Sequence, residues 1–191
     1  MDILGQSTGR PWLGLQVRIA GYCGLRFGEQ TALTPAAVLA DGAFLAVTQA
    51  WNYNRHIPAT LGSPKNRQDR QVPVRGSMRS ARAAEVEARP GGLLFPGPDQ
   101  ALAMSDTTFR RLFTRGAQNA GWAMAADGRR TVIPYRNPRH HAATWMRETA
   151  GFGWADVFRY LGHHSVAFTT GRYIRPGVEA DERNAKRMKE L

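Results

Sequence analysis

Four side chains in this sequence could together attack a phosphodiester: Arg26, Arg139, His163 and Tyr173. Three of them lie in order in the last third, RHHAATWMRETAGFGWADVFRYLGHHSVAFTTGRYIRPG. Arg139 opens a predicted helix, His163 follows a Leu-Gly turn at the end of another, and Tyr173 comes ten residues after His163. Arg26 comes from an upstream Gly-Leu-Arg-Phe-Gly-Glu segment. A phenol has an ordinary pKa of about 10 and attacks only where nearby cations favour its oxyanion. Two arginines and a histidine supply those cations, and the chemistry requires no metal.

The rest of the composition suits such a substrate. The 191 residues suffice for one domain with a real hydrophobic core. A hydrophobic fraction of 42% and a charged fraction of 21% are ordinary. The net charge of +11 and the pI near 10.9 are not. They make nucleic acid the first expected partner and an anionic membrane surface the second. Most of the cations are arginines, whose planar forks match phosphate. No apolar run approaches the roughly 20 residues of a membrane span, and the N-terminus lacks a charged-then-apolar leader layout. The single cysteine, Cys23, excludes an internal disulfide, suits a reducing cytoplasm and reads as a small buried residue beside Gly24.

The elements that would position these residues follow from spacing and punctuation. Residues 1–9 are small and polar, a flexible N-terminal segment. WLGLQVRIAGY carries apolar residues at helical spacing behind Pro11, and the glycines at 21 and 24 interrupt it. A short helix is predicted from Arg26 to Leu33. Strands are predicted over 42–47, 59–62 and 70–74, the last two joined by the polar turn Ser63-Pro64-Lys65-Asn66. Further helices are predicted over 77–89, from a cap at Ser105 or Asp106 to near Gly121, and over 139–149, 154–161 and 166–172. The fold class is α+β, mostly helical, with a small three-stranded antiparallel sheet. The core domain spans 10–177, and the charged tail 178–191 has helical propensity with little apolar surface of its own.

Taken in order, GLRFGE, SPKNRQDRQVPV, RNPRHHAA, LGHHS and TTGRYI resemble the catalytic domain of the tyrosine recombinases, in their phage-integrase branch. The resemblance runs from about residue 12 to about residue 176. It implies a site-specific recombinase that cleaves and rejoins DNA strands through a 3′-phosphotyrosyl intermediate, without metal or cofactor. In that light Tyr173 matches the nucleophile, and the covalent step conserves the phosphodiester energy for rejoining. Arg26 and Arg139 match the pair that grips the non-bridging oxygens. Lys65 matches the general acid for the departing 5′-oxygen, a proton transfer that arginine cannot make. Arg67 and Arg70 remain rivals for the same space. His163 matches the histidine that hydrogen-bonds the phosphate, His140 a supporting histidine, and Glu29 an acidic residue that orients an arginine. The pattern departs at Arg136, where the family has histidine in His-x-x-Arg, and at Pro138, where it has leucine. Arg136 can donate to phosphate but cannot act as a base at neutral pH.

The resemblance further implies double-stranded DNA sites, a homotetramer on DNA, an accessory DNA-bending protein, and action in the cytoplasm of a bacterial host. The tail 178–191 is expected to pack on a neighbouring protomer. The chain is expected to be the catalytic part of a longer protein with a separate clamping domain. A chromosome-dimer or plasmid resolvase would use the same residues, and a DNA-binding relic would keep them without catalysis. Zinc at His140-His141 and His163-His164 is disfavoured, because adjacent histidines point different ways and no carboxylate or cysteine joins them at ligand spacing.

Overall fold

Apolar spacing and glycine stops set most of the helices. The computed structural model describes residues 3–53, 59–65, 68–97, 103–121, 128 and 137–162. Helix α1 is Ile3–Thr8, α2 is Trp12–Cys23 and α3 is Phe27–Thr31. Leu13, Leu15, Ile19 and Cys23 of α2 are fully buried. The helix stops at Gly24, whose φ of 67° only glycine adopts freely and whose N–H bonds to Ala20 O. Arg26 lies just outside α3 as its N-cap, in an extended conformation, where the sequence suggested the first helical residue.

Residues 3–8, read from the sequence as a flexible segment, are helical. Leu4 supplies the reason: it is buried against Gly116, where an added Cβ would collide with it. Such an anchor depends on a partner more than 100 residues away and leaves no local signal.

Five short strands follow among the described residues: β1 Val38–Leu39, β2 Phe44–Val47, β3 Ala50–Asn52, β4 Thr60–Gly62 and β5 Arg70–Pro73. The three-stranded antiparallel sheet is present in the order β1-β2-β5, with Leu45 opposite Val72 and Val47 opposite Arg70. Its membership differs from the sequence reading. The strand at 59–62 pairs instead with β3, Ala50 opposite Gly62, in a separate two-stranded sheet. Two residues, 48–49, join the two pairings on one side, and seven, 63–69, join them on the other. The pairings form two separate ladders, and the longer connection, the 63–69 excursion, carries Lys65.

The second half is helical: α4 Arg79–Ala88, α5 Asp106–Asn119, α6 Asn137–Glu148 and α7 Trp154–Leu161. Ser105 caps α5 by accepting the Thr108 N–H. Pro138 sits in the first turn of α6, where its missing N–H costs nothing. α6 packs along α2, α1 against α5, and α7 against β5. Leu94, Phe95, Met104, Phe109, Ala143, Met146, Val157 and Leu161 complete one continuous core. No helix among the described residues is long and apolar enough to cross a membrane. The helix expected at 166–172 and the tail 178–191 lie outside the described residues.

Candidate functional site

A helix leaves its last carbonyls without intrahelical partners, and α7 ends where three arginines can use them. The chain turns at Gly162, with φ 62° and its N–H on the carbonyls of Phe158 and Arg159. The next three carbonyls each accept from an arginine of a different segment. Arg70 Nε of β5 donates to Tyr160 O at 2.7 Å. Arg139 Nη2 of α6 donates to Leu161 O. Arg26 Nη2 donates to Gly162 O at 2.8 Å. The negative end of the helix dipole favours all three cations.

Glycine at two positions makes this convergence geometrically open. A Cβ on Gly162 would lie 3.1 Å from Arg70 Nη1 and 3.4 Å from Arg26 Nη1. A Cβ on Gly24 would run into the Leu161 side chain and come within 3.3 Å of Ala142. Its absence lets α7 approach, and the Gly24 carbonyl takes the Nη1 of Arg139. Arg139 thus bridges the end of α2 and the end of α7.

Glu29 holds the centre of the cluster. Its carboxylate, 1% exposed, accepts four hydrogen bonds. Arg26 N donates to Oε2 at 2.7 Å and Arg26 Nη1 to Oε1 at 3.0 Å. Arg70 Nη1 and Nη2 donate to Oε1 and Oε2 at 3.0 and 2.7 Å, a two-pronged pair. Burial on its own would raise the Glu29 pKa. The hydrogen bond and charge of Arg70, then the charge and backbone N–H of Arg26, outweigh it and hold the carboxyl below its ordinary value.

Of the residues singled out in the sequence, Arg26, Glu29 and Arg139 meet in this cluster. The side chain of Arg26 remains 25% exposed. Two of its five N–H groups are engaged among the described residues, leaving three to meet an incoming anion. His140 is exposed on α6, beside Arg139. Lys65 is exposed on the 63–69 excursion and has no hydrogen-bond or ion-pair partner among the described residues. Arg136, His163 and Tyr173 lie outside the described residues, although the chain passes directly from Gly162 into His163. Among the described residues no cluster of His, Cys, Asp or Glu could hold a metal ion.

Arg70 is the member of the cluster that sequence reasoning misplaced. The sequence reading makes it a rival of Lys65 for the same space, yet its side chain is only 5% exposed and its Nε, Nη1 and Nη2 all donate inward. A signal existed in strand parity. Arg70 shares its face of β5 with the buried Val72, so an inward charge demanded a buried acidic partner.

The trend of known proteins agrees with this architecture at the level of fold. No protein-family model and no curated protein matches the sequence. Solved structures do. The Tn1549 transposon integrase in complex with circular intermediate DNA is similar over 97% of this chain and 64% of its own, at 17% identity and a TM-score of 0.75. XerA recombinase is similar over 98% of this chain and 62% of its own, at 18% identity and a TM-score of 0.68. A lambda integrase dimer bound to a core site is similar over 93% and 46%, at 16% identity and a TM-score of 0.58. The chain therefore spans less than two thirds of each of these solved chains. At such low identity the likeness is one of architecture: this chain has the catalytic-domain fold of the tyrosine recombinases.

Proposed function

We propose that the chain is the catalytic part of a site-specific DNA recombinase, which cuts and rejoins strands through a 3′-phosphotyrosine on Tyr173. One observation carries the reading. The guanidiniums of Arg26 and Arg139 are fixed on consecutive carbonyls of one turn, and the residue that follows that turn is His163. Two forks held side by side can grip the non-bridging oxygens of one phosphate before the charge of the five-coordinate state develops. Because their own geometry is set by protein acceptors, little reorganisation is needed when that charge appears.

The remaining roles follow the same logic. Tyr173 Oη attacks phosphorus and the 5′-oxygen leaves, taking a proton from the exposed Lys65. His163 hydrogen-bonds the phosphate and manages the nucleophile's proton, with Arg136 and His140 as further donors nearby in sequence. Glu29 orients Arg26. The partner is double-stranded DNA; of the solved neighbours named above, the Tn1549 integrase is in complex with circular intermediate DNA and the lambda integrase dimer is bound to a core site. The net charge of +11 supports that partner. Four protomers on two sites, an accessory bending protein and action in a bacterial cytoplasm complete the proposal, with the tail 178–191 reaching a neighbouring protomer.

The test is covalent trapping. The chain is incubated with supercoiled plasmid at low salt, quenched in detergent, and compared with Tyr173→Phe. The expected result is a detergent-stable protein–DNA adduct in the parent chain and none in the variant. An adduct that survives in Tyr173→Phe would remove Tyr173 as nucleophile, and DNA binding without any adduct would leave a binding module.

A further inference from the structure

Arg70 spends its whole guanidinium inside the protein. Nη1 and Nη2 take the two oxygens of Glu29, and Nε takes Tyr160 O. The other two lone-pair positions of the same carboxylate go to the backbone N and Nη1 of Arg26. A carboxylate offers about four acceptor sites, so Glu29 is saturated and its plane is fixed from both sides. With one side fixed by Arg70, the carboxylate leaves Arg26 a single orientation, with Nη2 on Gly162 O and the remaining N–H groups open.

We propose that Arg70 is a positioning residue: through Glu29 it sets the direction in which Arg26 presents its free N–H groups to a phosphate. The inference rests on the reading of Arg26 as a phosphate ligand given above. Without Arg70, the carboxylate is free to pivot and no longer offers Arg26 Nη1 a fixed acceptor. The guanidinium would then rotate off the Gly162 carbonyl and away from its neighbour Arg139. A lysine at position 70 keeps the charge, but as a point donor it cannot hold two carboxylate oxygens and a carbonyl together. Arg70 also ends the excursion that carries Lys65, so the same side chain ties that excursion to the α7 terminus.

Two measurements on the full chain test this, with Arg70→Lys as the variant. The first is the NMR spectrum of the arginine side-chain N–H groups in the free protein. In the parent chain the Nη protons of Arg26 should be resolved and slow to rotate. In Arg70→Lys they should collapse to a rapidly rotating average, while those of Arg139 stay resolved. Loss of both sets, or of neither, would overturn the proposal, because general loosening or no effect is then the finding. The second is the rate of adduct formation on supercoiled plasmid, which should fall about 100-fold, the scale of a misaligned binding group. Release of Arg26 with an unchanged adduct rate would equally overturn it. Should Arg70→Lys not melt cooperatively, Glu29→Gln carries the same two readouts, with the same selective release of Arg26 expected. If the parent chain forms no adduct at all, the strand-cutting function falls, whereas the clamp on Arg26 is still decided by the spectra.

Discussion

Replacing Gly162 with alanine separates two costs that the site imposes on one residue. The backbone there has φ 62°, a left-handed conformation that disfavours a side chain by about 1–2 kcal/mol. Gly151, between α6 and α7, has φ 73° and no described atom within 4 Å of an added Cβ. Gly151→Ala therefore measures the backbone cost alone. At Gly162 the new methyl would also lie 3.1 Å from Arg70 Nη1, 3.2 Å from its Cζ and 3.4 Å from Arg26 Nη1. Arg70 cannot retreat without lengthening a hydrogen bond to Glu29 or to Tyr160 O, and a buried charged hydrogen bond is worth about 1.5–3 kcal/mol. Gly162→Ala should thus cost about 3 kcal/mol against about 1 for Gly151→Ala. For a chain of this size that is a fall in Tm of about 6–12 °C against about 2–4 °C. Thermal unfolding followed by circular dichroism reads both. Equal losses in the two variants would show that the guanidiniums do not crowd Gly162 and that the packed arginine cluster is wrong.

Three further outcomes are expected. The buried amide of Gln16 has neither its oxygen nor its nitrogen hydrogen-bonded among the described residues, so Gln16→Leu should raise stability by about 1–3 kcal/mol in urea unfolding. Glu29 has a folded pKa below its unfolded one, so its contribution is complete above pH of about 4.3 and is lost as pH falls through the folded value. Denaturation curves of the parent chain and Glu29→Gln should accordingly converge on acidification below that pH; curves that stay parallel would mean the carboxylate is not stabilised by its arginines. Finally, a Cβ on Gly28 would penetrate the backbone carbonyl of Trp51, so Gly28→Ala should separate α3 from β3 and cost more than about 3 kcal/mol, visible as lost expression or a collapsed melt.

What the sequence disclosed was largely local. The apolar spacing of α2, the Ser105 cap of α5 and the Gly162 stop of α7 lie within a turn of the residues they control, and each is where the pattern put it. The resemblance gave Glu29 an arginine to orient without saying which, and Arg26, three residues away, is one of the two it pairs with. Arg70 was not, because its partners lie 41 and 90 residues away and a turn lysine next door offered a simpler reading. The strand at 59–62 was found, but its partner was not: pairing depends on the unequal lengths of two connections, which no property of the strand records. Leu4 shows the same limit, since its burial takes its meaning from Gly116, more than 100 residues away.

The carbonyls of Tyr160, Leu161 and Gly162 collect arginines that are 90, 22 and 136 residues away in the chain. Contacts of such separation close late, after the loops between them have been ordered. A nascent or partly unfolded chain therefore holds its guanidiniums scattered, each a weak and independent cation. Only the finished fold gathers them at one point, so the focus of positive charge at the end of α7 acts as a report of complete folding. The wiring thus separates two kinds of positive charge: a diffuse one that any copy of the chain carries, and a focused one at the end of α7 that exists only where all three arginines have reached their carbonyls.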